Sequence, residues 1–333
     1  MVSRLRVVVP LPRYPDPRAD RTETETGLVQ NHLWMLREVE VLRRACSVTT
    51  VSSQEAAFLA SWREHFDVMY LPCELCYRTA GVAAREGLPF VMRVFVPPPP
   101  RGALAPDSIW ADILEMLRHS RCGVVAGNTT PCVDALCDVG VAVVANPLPH
   151  VMPGAEPRQG TREPRYTYLG RLGTKSVDDL VRAASAARVP LRIGCVAAAD
   201  EETTHAQVNA VLRCGVDLHV EIELVAARSL VEVDDLIDSS IAVVSASHID
   251  TFWMPGIEAL ARGRDCRIVG NEYTQAAYGA WANTGAWQAL GTWMAMGQVA
   301  APKRCRERLR EMGSDAAGYL ERVVPLLEGA ARV

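Results

Sequence analysis

Two acids eight positions apart, Asp250 and Glu258, are the side chains whose placement best suits chemistry. They lie in SSIAVVSASHIDTFWMPGIEALARGRDCRIVGNEY, Ser239 to Tyr273. The apolar run Ile241 to Val244 has strand length, and Ser245 to Asp250 is a polar bend. A segment of helical spacing follows from Pro255 through Ile257, Leu260 and Ala261, closed by Gly263. Cys266 to Val269 is a second short strand that ends at Gly270. Strand, loop, helix and strand make one βαβ unit, and such units bind ligands at the carboxyl ends of their strands. Here that end is the loop around Asp250. A helix start presents unpaired N–H groups and a partial positive charge, which suit a phosphate. Carboxylates beside a phosphate make sense as acceptors of hydrogen bonds from sugar hydroxyls. The plain alternative is a solvated Asp and a helix-start Glu.

The elements that must position these residues fill a chain of 333 residues, longer than one core usually serves, so two domains are expected. Hydrophobic residues make up 49% and charged residues 22%, the balance of a globular protein. A net charge of −4 gives no electrostatic footprint for nucleic acid. No apolar run approaches the roughly 20 residues of a membrane span, and MVSRLRVVVPLP is too short and proline-broken for a secretory signal. These features point to a cytoplasmic protein. Ten cysteines read as reduced thiols rather than a disulfide scaffold. Cys73 and Cys76 form a lone CxxC with no second pair at ligand spacing, and Cys122, Cys132 and Cys137 lack paired histidines. Packed thiols are the preferred reading over zinc or redox chemistry.

Asp250, seven residues, then Glu258-Ala259-Leu260-Ala261-Arg262-Gly263 resembles the acid, seven-residue interval and small-residue helix of the retaining glycosyltransferases of family 4. The first acid there is usually Glu. A second element resembles the same family: Tyr166 to Lys175, with Gly170-Arg171 and Lys175, leads into a helix from Ser176 to Ala187. Ser176 stands where glycine is usual. The resemblance implies a GT-B architecture, two Rossmann-like α/β/α domains facing across a cleft. It also implies that Arg171 and Lys175 grip the diphosphate of a nucleotide sugar, where fixed cations stabilise the charge that develops as the glycosyl bond breaks. Glu258 would bind the ribose hydroxyls and Asp250 would orient the donor sugar. Thr251, Phe252 and Trp253 stand where the family favours Gly-Phe-Gly. Trp253 either stacks on a sugar or base or fills the interdomain core. Asn271 to Tyr273 would face the nucleotide from the next loop.

In the first half, Leu5 to Val9 reads as a buried strand. Gly27 precedes a segment of helical spacing from Leu28 to Leu42, and would let backbone pass close to a phosphate. An ordinary helix-entering glycine is the equal alternative, and His32 on that helix reads as a surface or core histidine. Pro89 to Phe95 resembles the family's strand ending in histidine, a position that Phe95 takes here, with Arg93 as the other source of a polar group. Val141 to Ala145 reads as the last strand before a Pro- and Gly-rich linker. The expected domains are 1–152 on the acceptor side, 153–300 for the nucleotide sugar, and closing helices over 301–333. Trp281, Trp287 and Trp293 recur at six-residue steps, which make no single helical face, so they read as packing.

The implied reaction moves a sugar from a UDP- or GDP-sugar to an acceptor hydroxyl with retention, as in a hexosyltransferase, with no bound metal. Three rivals stand beside it: a degenerate module that only binds nucleotide or sugar, a transferase acting on a modified base in DNA, and a nucleotide-sugar epimerase-like enzyme.

Overall fold

The computed structural model describes residues 4–11, 35–52, 62–105, 108–119, 123–154, 158, 160–173, 175–196, 201–227 and 230–332. Among them the chain divides into two compact units. One runs to Val151 and takes back the chain from Ala316, and the other is Met152–Asp315.

The first unit is built on five parallel strands: β1 (Arg6–Leu11), β2 (Ser47–Ser52), β3 (Val68–Leu71), β4 (Phe90–Val94) and β5 (Gly123–Gly127). Their order is β2-β1-β3-β4-β5. Val7, Val8, Val9 and Phe90 to Met92 are wholly buried. Strands of a parallel sheet are covered on both faces, so their sequences run apolar instead of alternating. Helices α1 (35–42), α2 (Trp62–His65), α3 (Tyr77–Arg85), α4 (Ile109–His119) and α5 (Thr130–Asp138) accompany them. The strand expected over Val141 to Ala145 is reduced to one bridge, Val143 opposite Val125. Asn146-Pro147 follows at once, and proline neither donates to a ladder nor leaves its predecessor free.

The second unit has six parallel strands: β6 (Arg165–Arg171), β7 (Leu191–Val196), β8 (Ile222–Ala226), β9 (Ser240–Ser245), β10 (Asp265–Val269) and β11 (Ala282–Asn283). Their order is β11-β10-β9-β6-β7-β8. Counted from β6, this is the 3-2-1-4-5-6 order of a doubly wound dinucleotide fold, and the direction of winding reverses between β6 and β9. Helices α6 (Val177–Ala187), α7 (Glu201–Asp217), α8 (Leu230–Asp238), α9 (Met254–Ala261), α10 (Glu272–Tyr278), α11 (Trp287–Met296) and α12 (Pro302–Glu311) complete it. Helix α6 buries Val177, Leu180, Val181, Ala183 and Ala184 and leaves Arg182 to solvent, the stripe its spacing dictates. Gly291 of α11 lies so near Ala183 that a Cβ there would come within 2.9 Å of its carbonyl, which is how α11 seats closely on α6. Trp287 and Trp293 pack on this core as the sequence implies.

The final helix, α13 (Ala316–Ala331), belongs to the first unit. There Tyr319 and Tyr70 both donate to Glu38 Oε1, the latter at 2.5 Å, and Arg93 pairs with Glu38 Oε2. All four side chains are buried. A buried charge is tolerated only when paired and hydrogen-bonded, and this cluster meets that condition. No helix among the described residues is long and apolar enough to cross a membrane.

Candidate functional site

The winding reversal of the second unit directs attention to the carboxyl ends of β6 and β9, where the crevice of such a sheet lies. Strand β6 ends in Tyr168-Leu169-Gly170-Arg171. The Tyr168 hydroxyl donates to the Arg171 carbonyl at 2.6 Å. That hook needs Gly170, because a Cβ there would lie 2.7 Å from the Tyr168 oxygen. The Arg171 side chain is exposed.

Four residues on, Lys175 Nζ donates to Asp250 Oδ1 at 2.7 Å. The pair is partly sheltered, with side-chain exposures of 20% and 13%. Two residues 75 apart in sequence thus meet at the winding reversal. Burial pushes the Tyr168 phenol above its ordinary range, Asp250 adds to the rise and Arg171 opposes it, so both charges face that ring. Ser176, directly after Lys175, has φ 46°. This left-handed conformation is strained for a residue with a Cβ and favours glycine.

Helix α9 begins at Met254, so Glu258 lies one turn inside it and is buried, not a solvated helix-start acid. It faces Arg262 one turn later, whose guanidinium it helps hold protonated. Burial also raises the Tyr278 phenol, with contributions from both Asp250 and Glu258, so the two acids share that neighbour. Arg262 closes on Asp238 at the end of α8 and fixes the far end of α9. The N-cap residue Trp253 makes no side-chain cap to the first turn of α9.

Trp253 fills the core of this unit. It is 1% exposed, its ring lies 5.8 Å from that of Tyr278, and Gly256 leaves it room. Phe252 is buried beside the same tyrosine at 6.0 Å, whereas Thr251 is partly exposed. Trp253 is thus packed within the core of the second unit. Asn271 likewise serves the scaffold. Its side chain accepts from the backbone of Tyr273 and Thr274 in a capping box and donates to the His248 carbonyl at 2.8 Å.

Three polar atoms at the end of β9 and in its loop have no hydrogen-bond partner although buried: Ser245 Oγ, Ser247 Oγ and Asp250 Oδ2. A buried polar group left unpaired costs free energy, so these three atoms are open to a further hydrogen-bond partner. The sequence reading passed over Ser245, Ser247 and Tyr168. The Ser-Ala-Ser alternation at the end of an apolar strand was the available signal for the first two.

In the first unit, Phe95 follows β4 and stacks on His150, with ring centroids 4.1 Å apart. Arg93 is no free polar group. Its buried guanidinium is spent on Glu38 and on the carbonyls of Pro72 and Pro149. Burial first, and the Arg93 charge second, hold His150 well below the ordinary imidazole range. Cys73 and Cys76 have sulfurs 3.9 Å apart; the hydrogen bond to Cys76 and burial push the Cys73 thiol up, which matches packed thiols. Gly27 and His32 lie outside the described residues, as does Cys122. Among the described residues no group of three or more His, Cys, Asp or Glu could hold a metal.

At the carboxyl ends of β6 and β9, Lys175 thus pairs with Asp250, and Glu258 lies buried in the helix that follows. No family model and no curated protein matches the chain. Solved structures do match its fold. AviGT4, a glycosyltransferase involved in avilamycin A biosynthesis, superposes with TM-score 0.64 at 14% identity over 98% of each chain. Anabaena HepE, solved with UDP and glucose, gives 0.62 at 10% identity over 98% of this chain and 100% of its own. S. aureus TarM, solved with fondaparinux, α-GlcNAc-glycerol and UDP, gives 0.55 at 13% identity over 78% of this chain. The chain spans about half the length of the TarM and GtfA structures, at 55% and 56%. The fold is therefore that of the GT-B glycosyltransferases, built from two Rossmann-like units, in a divergent sequence.

Proposed function

We propose that this protein is a glycosyltransferase that moves a sugar, of hexose type, from a nucleoside diphosphate to an acceptor hydroxyl with retention of configuration. The observation that carries the reading is the meeting of Lys175 and Asp250 at the winding reversal of the second unit of a GT-B fold. Lys175 and Arg171 hold the diphosphate, and the start of α9 adds its N–H groups. As the glycosyl C–O bond breaks, charge collects on the diphosphate, and these cations stabilise it more than they stabilise the donor. Asp250 takes sugar hydroxyls and Glu258 the ribose. Thr251 and the backbone of Phe252 and Trp253 border the donor, while the two aromatic rings support them from the core.

The donor is proposed to be a UDP- or GDP-sugar, UDP being the nucleotide in the HepE and TarM structures. No metal is required in this scheme, since side chains and helix N–H groups carry the phosphate charge. Nine described cysteines are free thiols, which supports a cytoplasmic setting. The test is a panel of nucleotide sugars assayed for slow hydrolysis and for transfer to polyol acceptors. Turnover with one donor supports the proposal. Binding without turnover makes the chain a binding module, and conversion of a donor without acceptor or water points to an epimerase.

A further inference from the structure

We infer, on the basis of the proposed donor site, that Asp250 and the diphosphate compete for Lys175, so that the site selects a sugar nucleotide over the bare nucleoside diphosphate. Only two lysines occur in the chain, and the other, Lys303, is a surface residue 4.0 Å from Glu307. Lys175 is already committed to Asp250 at 2.7 Å in a partly sheltered pair. Among the described residues, Asp250 has beside it Lys175 from the β6–α6 loop, the Tyr168 phenol from β6 and the Tyr278 phenol from α10, and the Arg171 charge also acts on Tyr168. Lys175 is thus its one cationic hydrogen-bond partner among the described residues, and Asp250 Oδ2 has none.

A diphosphate that draws the ammonium away strips this carboxylate of its partner in a sheltered place. Breaking a sheltered ion pair from one side is costly, because the remaining charge is uncompensated. A sugar attached to the diphosphate repairs the loss, because its hydroxyls donate to both carboxylate oxygens. A bare diphosphate brings no such donors, so it binds at a penalty that the sugar nucleotide escapes. Once the sugar has moved to an acceptor, Lys175 returns to Asp250 and the leaving diphosphate is released. Asp250 in this account sets donor-over-product specificity as well as sugar orientation.

The test is calorimetric titration of UDP, GDP and thymidine diphosphate into the wild type, Asp250→Asn, Lys175→Met and the double variant. For whichever diphosphate the wild type binds, Asp250→Asn binds it about threefold to tenfold tighter, because the lysine is freed. The gain vanishes when Asp250→Asn is made in the Lys175→Met background. Asp250→Ser gives the same comparison should the amide variant melt early. Unchanged or weaker binding by both Asp250 variants overturns the inference and leaves the glycosyltransferase reading standing. A wild type that binds neither these nucleoside diphosphates nor the corresponding nucleotide sugars overturns both.

Discussion

Arg262 Nε lies 2.8 Å from Asp238 Oδ1, and a second N–H of the same guanidinium reaches Oδ2. This buried two-point contact fastens the end of α9 to the end of α8, and α9 carries Glu258. The carboxylate proposed for ribose is therefore aimed by an ion pair outside the crevice. Arg262→Ala leaves the buried Asp238 carboxylate without its cationic partner and with the Arg158 N–H as its remaining side-chain contact among the described residues, a change worth about 3–5 kcal/mol. Urea unfolding should show a loss of that size, and Arg262→Lys should not restore the planar contact. A loss below about 1 kcal/mol, the level of a surface pair, would mean the pair does not hold α9.

Trp253 is a core residue in this structure, packed on Tyr278. Trp253→Ala should cost about 3–5 kcal/mol through the cavity it leaves, and Trp253→Phe should cost less. Thermal melts read the loss. A variant of wild-type stability with a raised donor KM would show instead that the indole lines the ligand.

Ser176 pays for a left-handed backbone beside Lys175. Ser176→Gly relieves that strain but frees the unfolded chain, for a net gain of about 0.5–1 kcal/mol. A higher melting temperature is the expected outcome, and a lower one would mean the loop has another conformation.

His150 is buried against Phe95 and held neutral. Its folded pKa is depressed, so as pH falls through about 6.5 the unfolded chain takes up the proton first. Stability is complete above that pH and is lost below it, by up to about 1.4 kcal/mol per pH unit. Glu74, whose carboxyl burial raises, acts in the opposite sense at lower pH, so the comparison is wild type against His150→Phe. The variant should lose the acid-side slope near pH 6. Parallel profiles for the two proteins would contradict this assignment.

Much of the second unit was legible in the chain because its signals are local. The apolar run of β9, the small residues of α9 and the Gly170-Arg171 strand end each follow from steric or packing needs within a few residues. Ser176 was legible as a departure, and its φ shows the physical reason glycine belongs there. What could not be read was tertiary. Arg93 looked like a spare polar group because its partner Glu38 lies 55 positions away. Trp253 kept two readings because its neighbour Tyr278 is brought close only by α10. The last helix packs back on the first unit through Tyr319, and nothing in its own spacing says so.

The most direct test of the donor site is equilibrium binding of the preferred nucleotide sugar to the wild type, Arg171→Ala and Lys175→Ala. Both variants should fold normally and bind at least about tenfold more weakly, a loss of about 1.4 kcal/mol or more for each charge-assisted contact. Unchanged affinity in both would contradict the placement of the diphosphate at the carboxyl end of β6.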